Sequence, residues 1–124
     1  MNILMLRHSA GFEHSYLPDA EVAVKLLGRK NGWKVATTHL CSRITAENLT
    51  KLDALIFATT GNLPFDADQK RALLDFVKGG KAFVGIHNAA DTCYDWAEYG
   101  EMLGGYFAGH PWTQEVHVIV EDPG

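Results

Sequence analysis

Leu52-Asp53-Ala54-Leu55-Ile56-Phe57-Ala58-Thr59 and Ala82-Phe83-Val84-Gly85-Ile86 are two short runs dominated by apolar residues, separated by a stretch with polar and apolar faces. Neither run alternates apolar with polar, the pattern of a strand covered on both faces. Between them, residues 66–78 carry Leu73, Leu74 and Val77 at helical spacing. Asp66 stands at the cap position, Gln69 at the capping-box position, and Gly79-Gly80 ends the stretch. Strand, helix, strand with short connections is the unit of a parallel sheet.

The same alternation continues on both sides. Residues 3–6 predict a first strand, and residues 19–31 a helix with Val22, Ala23, Leu26 and Leu27 on one stripe and Glu21, Lys25 and Arg29 opposite. Asp19, just after Pro18, is its expected cap, and Gly32 its left-handed terminator. Residues 33–40 predict a second strand, and residues 45–49 a short helix capped by Thr45. The runs at 52–59 and 82–86 are the third and fourth strands. Residues 94–103 predict a last helix and 116–120 a fifth strand. There are no internal repeats and no linker, so a chain of 124 residues reads as one domain.

Composition narrows the function. Hydrophobic residues make up 47% and charged residues 21%, ordinary for a globular protein. A net charge of −4 argues against a general nucleic-acid binder. The longest apolar run is far too short for a membrane span. Two cysteines, Cys41 and Cys93, make no disulfide framework. The apolar start, Met1 to Leu6, lacks the basic flank and cleavage site of a signal peptide, so a cytoplasmic protein is expected.

In an open parallel sheet, ligands bind beyond the carboxyl ends of the strands. Three segments fall there: residues 7–14, 59–62 and 87–91. In Gly85-Ile86-His87-Asn88-Ala89, small residues flank a histidine at the spacing of a nucleophile elbow, the tight strand-to-helix turn that exposes one side chain. Histidine suits a general base or a metal ligand better than a lasting nucleophile. Asp91, four residues on, is placed to orient its ring, and His14 lies in the long loop after the first strand. His14, His87, Asp91 and His110 are candidates for one site. No CxxC, HExxH, dinucleotide or P-loop pattern is present. The aromatics from Tyr94 to Trp112, beside Asp95 and Glu98, suit a sugar, whose apolar face stacks while its hydroxyls form hydrogen bonds.

Gly11-Phe12-Glu13-His14, Gly85-Ile86-His87, Asp91-Thr92, Tyr94-Asp95-Trp96, Tyr99-Gly100, Leu103-Gly104-Gly105-Tyr106-Phe107, Gly109-His110-Pro111 and Val120-Glu121-Asp122-Pro123 resemble, in order, the ThuA-like or trehalose-utilisation family. The resemblance implies a class I glutamine amidotransferase-like fold, a flavodoxin-like three-layer α/β sandwich with a mainly parallel sheet. It also implies a role in the metabolism of trehalose or related disaccharides. His87 stands where a glutamine amidotransferase would hold its cysteine, so glutamine hydrolysis through a thioester is not expected. Against the family's pattern the chain reads as the N-terminal part of the domain, and an exposed sheet edge would favour a homo-oligomer.

On this reading His87, Asp91 and His14 are the catalytic candidates. Tyr94, Trp96 and His110 are the expected lining of a carbohydrate pocket. His14 and His87 are also the expected ligands of a divalent metal such as zinc. A 3-keto sugar fits the chemistry, because a ketone acidifies the neighbouring C–H for a histidine base. Two other readings use the same crevice: a non-catalytic sugar-binding or assembly module, and a flavin binder cradling phosphate at His8-Ser9-Ala10-Gly11.

Overall fold

The computed structural model describes residues 1–121. Four strands, β1 (Asn2–Ser9), β2 (Lys34–Thr38), β3 (Ala54–Thr60) and β4 (Ala82–Gly85), form one sheet in the order β2-β1-β3-β4. Each neighbouring pair is parallel. The helices are α1 (Leu17–Asn31), α2 (Ala46–Leu49), α3 (Ala67–Lys78) and α4 (Ala97–Leu103), with short 3-10 turns at Cys41–Arg43 and His87–Asp91.

The strand period of two divides the core into two layers. Leu4 and Leu6 of β1 and Leu55 and Phe57 of β3 face α2, α3 and α4 in the larger cluster. Ile3 and Met5 of β1, with Ala54, Ile56 and Ala58 of β3, face α1 in the smaller one. Helices therefore cover both faces, giving a three-layer α/β sandwich, and every residue of β3 is buried. β1 is longer than the residues 3–6 expected. Its pairing with β3 runs on through Arg7↔Ala58, His8↔Thr59 and Ser9↔Thr60, so register carries polar residues into the strand.

α3 forms as its sequence predicts. Asp66 accepts from the Gln69 N–H at 2.8 Å, and Gln69 accepts from the Asp66 N–H at 3.2 Å. Ala72, Leu73 and Phe76 are its buried residues, with Leu74 and Val77 partly buried beside them. Thr45 caps α2 through the Asn48 N–H, and Gly32, at φ 69°, ends α1.

Five expectations need correction. α1 starts at Leu17, so Asp19 lies inside its first turn; Tyr16 is the cap residue, and its side chain makes no capping hydrogen bond. The Val22, Leu26 and Leu27 stripe faces outward at 55, 53 and 53% exposure, while Leu17 and Gly28 are buried. Leu17, Ala20, Val24 and Gly28 make the contact stripe, because Gly28 lets the helix come close to β2. A Cβ at Gly28 would lie 2.5 Å from Val35 Cγ2. Residues 116–120 form no strand: their β-branched side chains supply propensity, but no sheet edge receives them among the described residues. α4 begins only at Ala97, because Cys93 at φ 53° interrupts the helical path before it. β4 is covered less than expected, with only Phe83 of its residues half-buried.

Among the described residues no helix is long and apolar enough to cross a membrane.

Candidate functional site

Ile86 carries the sheet one residue past β4, donating its N–H to the Phe57 carbonyl at 2.8 Å. The chain then turns sharply, and His87 sits at φ 46°. That left-handed conformation costs a non-glycine residue about 1–2 kcal/mol, so the surroundings must hold it. They do so through four consecutive carbonyls. Asn88 O accepts from the Thr92 hydroxyl at 3.2 Å and Ala89 O from the Tyr99 hydroxyl at 2.9 Å. Ala90 O accepts from the Phe107 N–H at 2.8 Å and Asp91 O from the Gly61 N–H at 2.7 Å. Gly85 is required beneath the turn: a Cβ there would lie 2.6 Å from Leu103 Cδ1 and 3.0 Å from the Ala89 methyl. His87 is left exposed at the carboxyl edge of the sheet.

His14 arrives from the loop of residues 10–16. The Ala10 and Gly11 N–H groups both donate to the Thr60 carbonyl, at 2.8 and 3.3 Å. The Thr60 hydroxyl in turn donates to the Phe12 carbonyl at 2.7 Å. The loops after β1 and β3 meet so closely that a Cβ on Gly61 would fall 2.5 Å from the Gly11 nitrogen. This packing brings the His14 ring to 4.9 Å from the His87 ring, edge to face, centroid to centroid. Both imidazoles therefore open on the same edge of the sheet.

His14, His87, Asp91 and His110 line one cavity of about 450 Å³, together with Asn88, Leu103 and the rings of Tyr106 and Phe107. The Phe107 and His110 rings lie 4.7 Å apart. Tyr94 stands beside this cavity and does not line it. Its hydroxyl lies 2.7 Å from Asp91 Oδ1 and 2.9 Å from the Phe107 carbonyl, two acceptors that share its one proton. Desolvation, and then the Asp91 carboxylate, push that hydroxyl up to about 12. The expected role of Asp91 changes accordingly: its carboxylate is held by Tyr94 rather than by the His87 ring.

Trp96 is a correction. It is 5% exposed and belongs to the core, 5.7 Å from the Tyr99 ring and 6.5 Å from the Phe65 ring, with the Lys70 ammonium 5.4 Å from its own centroid. Just before α4 the backbone points this side chain under α3, away from the sheet edge. Sequence reasoning missed Tyr16, Asn88, Tyr106 and Phe107 as parts of the site. A signal existed for Tyr16: Phe12, His14 and Tyr16 alternate along the loop, and the rings of neighbouring members lie 4.8 and 5.8 Å apart.

Among the described residues no group of three or more His, Cys, Asp or Glu side chains is placed to hold a metal ion. His14 and His87, the two expected ligands, contribute two imidazoles to the edge, and Asp91 Oδ1 accepts from Tyr94. The flavin reading loses its cradle, because the Ala10 and Gly11 N–H groups are committed to Thr60. Both thiols are buried, and desolvation raises both, Cys41 to about 11, so neither is an activated nucleophile.

The family model ThuA, described as trehalose utilisation, matches residues 2–124. The crystal structure of a ThuA-like protein from Bacteroides uniformis ATCC 8492 superposes with a TM-score of 0.66 at 22% identity. The match covers 84% of this chain and 43% of that one, so this chain spans less than half the length of that protein. No curated protein matches the chain. At this identity the structural likeness speaks for the fold alone. The last matched motif ends in Asp122 and Pro123, which lie outside the described residues.

Proposed function

The chain belongs to the ThuA family of trehalose utilisation, and from that premise we propose that it binds and transforms a small sugar of the trehalose type, in its oxidised 3-keto form, at the carboxyl edge of the sheet. Family membership supports a role in carbohydrate metabolism. The observation that carries the finer reading is the His14–His87 pair, 4.9 Å apart, in a cavity that also offers Asp91, His110 and the rings of Tyr106 and Phe107.

A sugar ring presents C–H bonds on its faces and hydroxyls at its rim. The aromatic rings suit the first, and the imidazoles and carboxylate suit the second. A carbonyl on the ring adds a reaction. His87 takes the proton from the carbon beside the carbonyl, and the electron pair moves into the carbonyl as an enolate. The enolate reforms the carbonyl by expelling the glycosidic oxygen, which takes a proton from His14. One C–H and one C–O bond break, a C–C double bond forms, and the proton count closes. General acid–base help of this kind is worth about 10²–10⁴ in rate.

The test pairs calorimetry with product detection by NMR, using trehalose and 3-keto-trehalose on the wild type and on His87→Ala. The expected result is turnover of the keto sugar by the wild type, reduced by about 10²–10⁴ in the variant, with binding retained. Binding without turnover in the wild type assigns the cavity to a binding module, the reading favoured by the engagement of Asp91 with Tyr94. Failure of the wild type to bind either sugar overturns the proposal.

A further inference from the structure

The two imidazoles come from separate rigid pieces. His87 rides on a turn locked by its own carbonyls, and His14 rides on a loop locked to Thr60. One side-chain hydrogen bond ties these pieces together: the Tyr16 hydroxyl donates to Asn88 Oδ1, across 72 residues of sequence. Tyr16 closes the His14 loop at the entry to α1, and Asn88 directly follows His87. The Tyr16 ring also touches both imidazoles, 5.8 Å from His14 and 5.2 Å from His87.

Asn88 shows why this bond matters. It is 4% exposed, and its Nδ2 has no hydrogen-bond partner among the described residues. A buried amide with one end unpaired has its rotamer set by the end that is paired, here by Tyr16. Tyr16 does not act as a side-chain cap for α1, so its hydroxyl is free for this role. Burial raises that hydroxyl above its ordinary value, so it stays a donor throughout the neutral range.

We propose that Tyr16 is a positioning residue: its hydroxyl, bonded to Asn88, holds the His87 turn against the start of α1 and thereby sets the spacing of His14 and His87. The inference concerns the geometry of the pair and stands whether or not the ligand is a sugar.

The experiment reads the pair directly in the free protein. Carbon-bound ring protons of His14 and His87 should show mutual nuclear Overhauser contacts and ring-current shifts. In Tyr16→Phe, which keeps the ring and loses the hydroxyl, that contact should fall below half, while backbone resonances of β3 and α3 stay in place. Asn88→Asp keeps an acceptor oxygen and should preserve the contact when Tyr16 is present. The Tyr16→Phe/Asn88→Leu double variant, which lacks both partners, should lose no more of the contact than either single variant, the signature of one shared interaction. Unchanged ring contacts and shifts in a folded Tyr16→Phe protein overturn the proposal. Should Tyr16→Phe not fold, Asn88→Leu removes the acceptor and leaves Tyr16 intact: loss of the His14–His87 contact supports the proposal, and its retention overturns it.

Discussion

α1 and α3 carry the same kind of amphipathic pattern, yet they meet the sheet in different ways. α3 presses Ala72, Leu73 and Phe76 onto the larger core, beside Phe57 and Tyr99. α1 leaves Val22, Leu26 and Leu27 outside and lies against β1 and β2 on small residues, with Gly28 at the closest point. One polar side chain, Glu21, faces the sheet. Glu21 pairs with Lys25, reaches Arg7 Nε of β1 at 2.8 Å and accepts from the Thr37 hydroxyl of β2 at 2.8 Å. The difference teaches that an apolar stripe predicts a contact face only when the surface beneath it can receive long side chains. Over Ala54, Ala58 and Val35 the closer seat goes to the ridge with the smallest residues.

The sharpest break between the helices should appear in their cores. Leu73→Ala, at a site with no exposure, should cost about 2–5 kcal/mol in denaturant unfolding, because a cavity adds to the lost transfer energy. A cost below about 1 kcal/mol would mean that α3 is not the anchor described here.

Gly28→Ala tests the close seat of α1. Alanine is worth about 1 kcal/mol more than glycine in a helix, but overpacking against Val35 costs about 1–3 kcal/mol. A lowered Tm is expected. A raised Tm would show that α1 has room to spare.

The polar docking of α1 should make it sensitive to acid where α3 is not. The Lys25 ammonium holds the Glu21 carboxyl below its ordinary 4.5, with help from the Thr37 hydroxyl and the charges of Arg7 and Lys25. Because the folded value is depressed, its contribution is complete above the unfolded value and is lost as pH falls through the folded one. Amide exchange in α1 should therefore rise relative to α3 as pH drops through about 4.5 and below, once the intrinsic rate is corrected. Glu21→Gln should remove that pH dependence. Parallel behaviour of the two helices in the wild type would count against the ionic seat.

The smallest effect should come from the outward stripe. Leu26→Ser and Leu27→Ser should each change stability by no more than about 0.5 kcal/mol, an expectation a thermal melt can check. A larger loss would place a partner on that face.

Much of the site was legible because parallel-sheet topology sends the ends of neighbouring strands to one edge. His14 and His87 could be paired from the strand pattern alone, and the small residues around His87 announced the tight turn that φ 46° makes plain. Trp96 and Tyr94 were misplaced for a physical reason. A run of aromatics near an edge has the same composition whether it lines a cavity or fills a core, and only the backbone path before α4 separates the two. Asp91 illustrates the same limit. Spacing offered His87 as its partner, but a folded-back Tyr94 hydroxyl reached it first.

Local chemistry settled what needs only a few neighbouring residues. The Asp66 capping box, the left-handed end at Gly32, the buried run of β3 and the glycine under His87 follow from steric and hydrogen-bonding rules that act within a few bonds or across one turn. Tertiary packing decided everything that depends on which surface lies opposite: the outward stripe of α1, the unpaired residues 116–120, the burial of Trp96 and the Tyr16–Asn88 bond. A pattern specifies the faces an element can offer. The free energy of burial and of satisfied polar groups, summed over partners distant in sequence, selects which face is used.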